Sequence, residues 1–425
     1  MKVLMFGWEF PPHISGGLGT ACYGLTKGLL QNDVDVLFVV PKTFGDEETG
    51  RFRLMGAGDI PVRDASGYAR MLSDKFTAFG VNSLIVPYLN ANDFSRYTEE
   101  KNNLMAHRED VFSPSKYEFT GQYGKDLLTE VWRYASVAAE IAATNSFDVI
   151  HAHDWLSFPA GILAKQISGK PLIVHVHATE LDRSGEQVNA AVFDIEQKGM
   201  ELADRVIAVS EYTRQIIINR YKICPDKVIV VHNAIDELPE ITRQVFPKIL
   251  DEKIVSYLGR VTHQKGPDYF VEAAAKVLKE HKHFRFVMAG SGDMLHKMIK
   301  KVAALRISSH FHFTGFLKGE EVTRMLQMSD VYVMPSVSEP FGISPLEAVR
   351  SSVPVIISRQ SGVSEVLKNA VTLDFWDTDA MSNAIYALTQ YKGLSNMFVR
   401  NSKREMKKLR WELQAKKIKE VYHFA

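Results

Sequence analysis

The chain has 425 residues, 46% of them hydrophobic and 24% charged, with 51 Lys+Arg against 50 Asp+Glu. That length exceeds what one hydrophobic core organises, so two domains are expected, and the composition excludes a disordered chain. The balanced charge gives no sign of a nucleic-acid polycation but leaves room for a small anionic ligand held by local positive charge.

The start, MKVLMFGWEFPP, reads as a first β-strand that breaks at Pro11 and not as a signal peptide. Short β-branched runs then alternate with segments of helical period. The spacing predicts strands at 2–8, 34–40, 83–88, 148–153, 172–177, 205–210 and 227–233, with helices over Thr20 to Gln31, Thr129 to Asn145 and Glu211 to Tyr221. Several runs are apolar on both faces, as parallel strands covered by helices should be. Residues 91–125 are polar, with six aromatics and weak periodicity. They read as a surface insertion or as a loop whose rings stack on sugar faces. After the polar, proline-containing stretch 234–253 the pattern restarts, with strands at 254–260, 284–290, 311–316, 331–336, 354–358 and 370–374.

This predicts two doubly wound, Rossmann-like α/β domains at 1–240 and 241–400, with a cleft where they join. The basic segment 401–425 is expected to be a helix packing back on the domains, with Met406, Leu409, Leu413 and Ile418 near one face. No run approaches the ~18 apolar residues of a membrane span. Cys22 and Cys224 are too few for a disulfide framework or a zinc cluster. They are expected as free thiols in a reducing compartment, which predicts a cytoplasmic protein.

Four places can carry chemistry. SGGLGT (15–20) follows the first strand and opens a helix, so its amides can approach a phosphate. It can equally be a tight βα turn, and no Gly-Lys-Ser/Thr follows to make a Walker loop. HAHDW (151–155) and HVHATE (175–180) end two adjacent strands, each with His at i and i+2 on one face. Such pairs can bind a metal in a hydrolase, but that site needs a Lys or Asp on later strands of one barrel, and the break between domains denies it. No metal is therefore expected, and His153 is placed at a strand's carboxyl end, where ligands of open α/β sheets bind. In YLGRVTHQKG (257–266), Arg260 and Lys265 can grip a diphosphate or stand as a solvated surface pair. In SVSEPFGISPLEAVRS (336–351), Ser344-Pro345-Leu346-Glu347 reads as a capping box. The box accounts for Glu347 and not for Glu339. A turn that bares amides of Phe341 to Ser344 beside a carboxylate suits a sugar phosphate.

Taken together, GGLG, HAHDW, GRVTHQKG, MAGSGD and SEPFGISPLEA, in this order, resemble the retaining glycosyltransferases of the GT-B fold. The chain is similar to glycosyltransferase group 1 (family four), within it to glycogen and starch synthase-like members, over essentially its whole length. The resemblance implies two Rossmann-like domains around a deep interdomain cleft and transfer of glucose from UDP-glucose or ADP-glucose to an α-glucan. It implies that Arg260 and Lys265 neutralise the donor diphosphate and that Glu339 holds hydroxyls of the transferred glucose. Phe341, Gly342 and Ile343 would lie near sugar and phosphate, and Glu347 would accept from the ribose. Gly290 and Gly292 would admit the nucleotide, Phe316 and Leu317 would lie beside the base, and Gly16 and Gly17 would approach the phosphate. His153 would contact the transferred sugar with Asp154 supporting it, and Arg183 and Asn233 would line the cleft. Bacterial glycogen synthases of family five carry a Lys two positions before the Gly-Gly pair, where this chain has Ile14. That departure moves the match toward family four.

The implied mechanism is front-face attack, with retained configuration and no carboxylate nucleophile, metal or other cofactor. Neither nucleic acid nor a membrane span enters the expected partners. The rival readings are a GT-B transferase using another sugar or acceptor (glycan, sugar phosphate or lipid), a metal-dependent hydrolase and a non-catalytic glucan-binding protein.

Overall fold

The structure is a computed structural model, and it describes residues 1–13, 16–47, 50, 52–77, 116–124, 126–236 and 251–424. The expected strand at 83–88 and most of the aromatic stretch 91–125 lie outside the described residues. Within that stretch, Tyr117 and Phe119 are described, and both are buried in the first core.

The chain forms two compact units. The first carries seven strands: β1 (Lys2–Phe6), β2 (Asp35–Val40), β3 (Arg53–Gly56), β4 (Val149–His153), β5 (Leu172–Val176), β6 (Arg205–Ala208) and β7 (Val228–Val230). They pair in the order β3-β2-β1-β4-β5-β6-β7, parallel throughout. Val3 to Phe6 are wholly buried, as a central strand covered on both faces requires. Leu127–Thr144 and Phe158–Ser168 are packed helices on this sheet. The second unit carries β8 (Lys253–Leu258), β9 (Phe284–Ala289), β10 (Phe311–Gly315), β11 (Val331–Met334), β12 (Val355–Ser358) and β13 (Val371–Leu373). Its order is β10-β9-β8-β11-β12-β13, again parallel, over a core built on Tyr257, Phe270, Phe286 and Phe311.

Helix Gly17–Gln31 starts three residues before the predicted Thr20, because the glycine turn itself forms its first turn. β3 carries no clear pattern in the sequence. It is a short edge strand of mixed burial.

The basic tail is two helices, Lys392–Met406 and Trp411–His423, and not one. The second belongs to the first unit and packs on Gly17–Gln31. Its buried face is Trp411, Gln414, Ala415, Ile418, Val421 and Tyr422, a 3.6-residue stripe counted from a new start. Leu413 is off that stripe and 43% exposed, and Met406 and Leu409 precede this helix, so the expected shared face of Met406, Leu409, Leu413 and Ile418 does not form. Gly24 and Gly28, one turn apart, make the contact close. A Cβ at Gly28 would stand 2.5 Å from the Trp411 carbonyl oxygen.

Candidate donor site at the strand ends of the second unit

In the second sheet β9 leaves β8 on one side and β11 continues on the other, so the strand order reverses between β8 and β11. Ligands of open α/β sheets bind at the carboxyl ends of strands flanking such a reversal. Two loops meet there. The loop after β8 runs through Gly259 and Arg260 to the single turn His263–Lys265. It closes on Gly266, at φ 63, where a Cβ would stand 2.0 Å from the Pro335 carbonyl oxygen. Only glycine lets this loop lie against the one after β11.

The side chains then converge. Lys265 Nζ lies 2.5 Å from Glu339 Oε2, with the Lys side chain 21% and the Glu side chain 8% exposed. Ser336 Oγ donates to the same oxygen at 3.3 Å. Arg260 Nη2 donates to Gln264 Oε1 at 3.2 Å, and its carbonyl accepts from Tyr257 Oη at 2.7 Å. The buried Gln264 in turn accepts the Val337 amide on its own carbonyl at 2.9 Å, stitching the two loops together. Glu339 is held at its backbone as well: its amide donates to Gln360 O and its carbonyl accepts from Gly362 N, each at 2.9 Å. A carboxylate and an ammonium on rigid backbone, at a strand-end crevice, form a site that can meet both hydroxyls and phosphate oxygens.

The expected capping box is not formed. The N-cap of helix Ser344–Arg350 is Ile343, without a side-chain cap, and Ser344 Oγ instead accepts from Tyr332 Oη at 2.8 Å. The helix begins one residue early, so the Ser hydroxyl is inside it and Tyr332 takes it. Glu347 lies in the first turn, and burial pushes its carboxyl up against the opposing charge of Arg350. Phe341 and Gly342 are buried and Ile343 is half-buried on the approach to that turn, with Gly342 in the left-handed region at φ 98.

Gly290 and Gly292 follow β9, beside β8. A Cβ at Gly290 would stand 1.9 Å from Gly259 O, and one at Gly292 would stand 2.4 Å from Val261 O. Both glycines therefore admit the backbone of the Arg260 loop. Phe316, 51% exposed, and Leu317, half-buried, follow β10 one strand further out.

The first unit has its own reversal, between β1 and β4. Gly16 is the N-cap of Gly17–Gln31, and among the described residues no heavy atom beyond the adjoining backbone lies within 4 Å of a Cβ placed at Gly16 or Gly17. Two positions on, the Gly19 amide donates to the buried carboxylate of Glu9 at 3.2 Å. His153 ends β4 fully buried, its Nδ1 3.0 Å from His177 Nε2. Asp154 follows it at φ 58 and accepts the His177 amide at 2.6 Å, and burial pushes its carboxyl up to about 7 against Arg183's charge. Burial likewise holds His151 and His177 down at about 3, and His153 and His175 well below their ordinary value, so all four rings are neutral at pH 7.

Arg183 follows β5, one strand beyond β4, and Asn233 follows β7, three strands beyond it. The Arg183 guanidinium binds Glu180, Glu196 and the Ala178 carbonyl, a buried network around helix Glu180–Ser184. Asn233 is buried beyond the edge strand β7.

Sequence reasoning missed Ser336, Gln264 and Glu9. Ser336 and Gln264 orient the charged pair from within loops that have no periodicity to read. Glu9 had one cue, an acid placed between the first strand and a glycine turn.

Two parallel sheets, each with one reversal of strand order, have the architecture of the GT-B fold. Residues 65–237 match the family Glycosyltransferase Family 4, and residues 240–405 match Glycosyl transferases group 1. The chain thus carries a family 4 glycosyltransferase domain followed by a group 1 domain. It is 27% identical to an uncharacterized glycosyltransferase of Methanocaldococcus jannaschii, over 100% of this chain and 98% of that one. It is 26% identical to a glycogen synthase of Mycobacterium tuberculosis, over 88% of this chain and 81% of the relative. The solved structure of Anabaena HepE in complex with UDP-glucose has the same fold, with TM-score 0.66, 16% identity and 100% of each chain covered. Among the described residues no helix is long and apolar enough to cross a membrane.

Proposed function

We propose that this glycosyltransferase moves glucose from UDP-glucose or ADP-glucose to the non-reducing end of an α-1,4-glucan, with retained configuration. The observation that carries the reading is the Lys265–Glu339 contact of 2.5 Å, with Arg260 on the same loop, at the reversal of the second sheet. The glycogen synthase among the relatives and the UDP-glucose bound by the Anabaena protein support the choice of donor and acceptor.

On this reading the bond between the anomeric carbon and the phosphate oxygen breaks while the acceptor oxygen attacks from the same face. The departing phosphate takes the acceptor's proton. Charge growing on that phosphate is met by Lys265 and Arg260, fixed before the reaction begins, which is where preorganised donors act most strongly. Glu339 accepts from the hydroxyls of the glucose, and Glu347 accepts from the ribose. Gly290, Gly292, Phe316 and Leu317 border the nucleotide, and Phe341, Gly342 and Ile343 border the sugar phosphate. The protein's own cations answer the leaving charge, so the chemistry is assigned no metal. In the first unit Gly16, Gly17 and Asp154 stand at the strand reversal, where a ligand of an open α/β sheet is received. His153 carries less weight there because its ring has no exposed surface. We place the protein in the cytoplasm, in accord with its free Cys22 and Cys224.

Nucleotide release measured from UDP-glucose and from ADP-glucose, with and without glycogen, tests the substrate assignment. Glucan-dependent release from one of the two is expected. Absence of it from both would overturn the glucan reading and leave the fold untouched.

A further inference from the structure

Four histidines of the first unit share one face of its sheet. His151 and His153 alternate along β4, the register sets His153 beside His175 on β5, and His177 follows two residues on. Ring centroids stand 4.3 Å apart for His151 and His153, 5.2 Å for His153 and His175, and 5.4 Å for His151 and His175. All three rings are buried to within 2% of full. Phe38 lies along His153 on one side, and Tyr422 reaches His151 from the C-terminal helix.

Their nitrogens are divided in an orderly way. His151 Nδ1 meets Tyr422 Oη at 2.6 Å and His153 Nδ1 meets His177 Nε2 at 3.0 Å. The Nε2 atoms of His151 and His153, both nitrogens of His175 and Nδ1 of His177 have no hydrogen-bond partner among the described residues. Buried polar atoms without partners are rare in native proteins and call for a water, an ion or a ligand. Here one ligand atom from each of the three rings lies within 4.8 Å of the others.

We propose that His151, His153 and His175 hold a divalent cation of the zinc class, bound by Nε2 of His151 and of His153 and by one nitrogen of His175. Three imidazole nitrogens suit zinc and its borderline-soft neighbours and do not suit Mg²⁺ or Ca²⁺, which take oxygen ligands. Tetrahedral zinc–nitrogen bonds of about 2.0–2.1 Å set ligand atoms roughly 3.4 Å apart, and one nitrogen of each ring already lies within 4.8 Å of the others. The outer partners fit as well. A metal-bound histidine characteristically has its other ring nitrogen hydrogen-bonded, which fixes the tautomer and aims the ring; Tyr422 and His177 occupy those places for His151 and His153, and His175 has no such partner among the described residues. The Cys22 thiol forms an overlapping group with His153 and His177, so a sulfur adjoins the site. The ion is structural: it ties β4 and β5 together inside the first unit. It takes no part in glucosyl transfer, and its presence does not depend on the transferase reading. From the sequence no metal is expected because the break between domains denies the His-x-His pairs a hydrolase barrel; the parallel register merges the two pairs into one cluster without one.

The test uses the full chain freed of any histidine tag. Metal content is measured after dialysis, and the thermal midpoint of metal-stripped protein is followed as Zn²⁺ is added. About one zinc per chain and a saturable rise in midpoint are expected. His175→Gln should lower the bound zinc at least ~10-fold and abolish the rise. His296→Gln, at an exposed position outside the cluster, should keep both. If His175→Gln does not fold, the stoichiometry and saturable shift of the unaltered chain still decide. Sub-stoichiometric zinc without a midpoint shift, or retention of both in His175→Gln, would overturn the site and assign the nitrogens to buried water.

Discussion

Lys265 and Glu339 face each other across 2.5 Å with Ser336 as a third partner, so each charge is already aimed when a donor binds. On the proposed function both lie in the transition-state environment, where losing one preorganised group typically costs about 10²–10³-fold. Lys265→Ala and Glu339→Ala are each expected to lower glucosyl turnover at least ~100-fold with an unchanged circular dichroism spectrum. Near-normal turnover in both variants would remove these residues from the reaction. A second residue tests electrostatics away from the site. Glu196 is 2% exposed, accepts from the Glu180 amide and from Tyr221 and Arg183, and is pushed by burial from 4.5 up to about 7. A carboxyl raised on folding keeps a proton that the unfolded chain releases, so its contribution to stability falls as pH rises from about 4.5 to about 7 and is flat above. Glu196→Gln cannot ionise, so its stability relative to the unaltered protein should improve by roughly 3 kcal/mol between those limits. Urea unfolding near pH 5 and near pH 8 measures this; an equal difference at both would show that Glu196 is ionised throughout.

At the scale of elements, the C-terminal helix Trp411–His423 owes its place to two small residues on Gly17–Gln31. A side chain at position 28 would strike the Trp411 backbone at 2.5 Å, and backbone cannot swing aside as a side-chain end can. Gly28→Val is expected to cost about 1–3 kcal/mol in urea unfolding, the usual range for overpacking. A stability change within the scatter of surface substitutions would show that this helix is not anchored there. The same helix shows what sequence can and cannot supply. Its apolar recurrence is legible, but the break at 407–410 is not, and the shift in phase puts Leu413 outside. The β-branched runs predict thirteen strands, and the twelve among the described residues begin within one residue of their observed starts. β3 escapes because an edge strand of mixed burial has neither alternation nor a continuous apolar run. The capping box fails for a tertiary reason: Tyr332, 12 residues before Ser344, takes the Ser344 hydroxyl, a contact that no local reading of the sequence contains.

At the scale of the whole molecule, both units repeat one plan: a parallel sheet whose strand order reverses once. In the second unit the reversal brings Arg260 and Lys265, neighbours on one loop, together with Glu339, 74 residues after Lys265, at the same strand ends. Their residue types and loop positions are legible from the sequence. The contact itself is not, because it depends on β8 and β11 being neighbours, which no local pattern encodes. The account's central claim is that this crevice holds the donor's diphosphate. Its most direct measurement is the affinity of UDP and of ADP, by isothermal titration calorimetry, for the unaltered protein, Arg260→Ala and Lys265→Ala. The account predicts that one of the two nucleotides binds and that each substitution weakens it at least ~10-fold, the loss expected for a charge-assisted contact to phosphate. Unchanged affinity in both variants would contradict it.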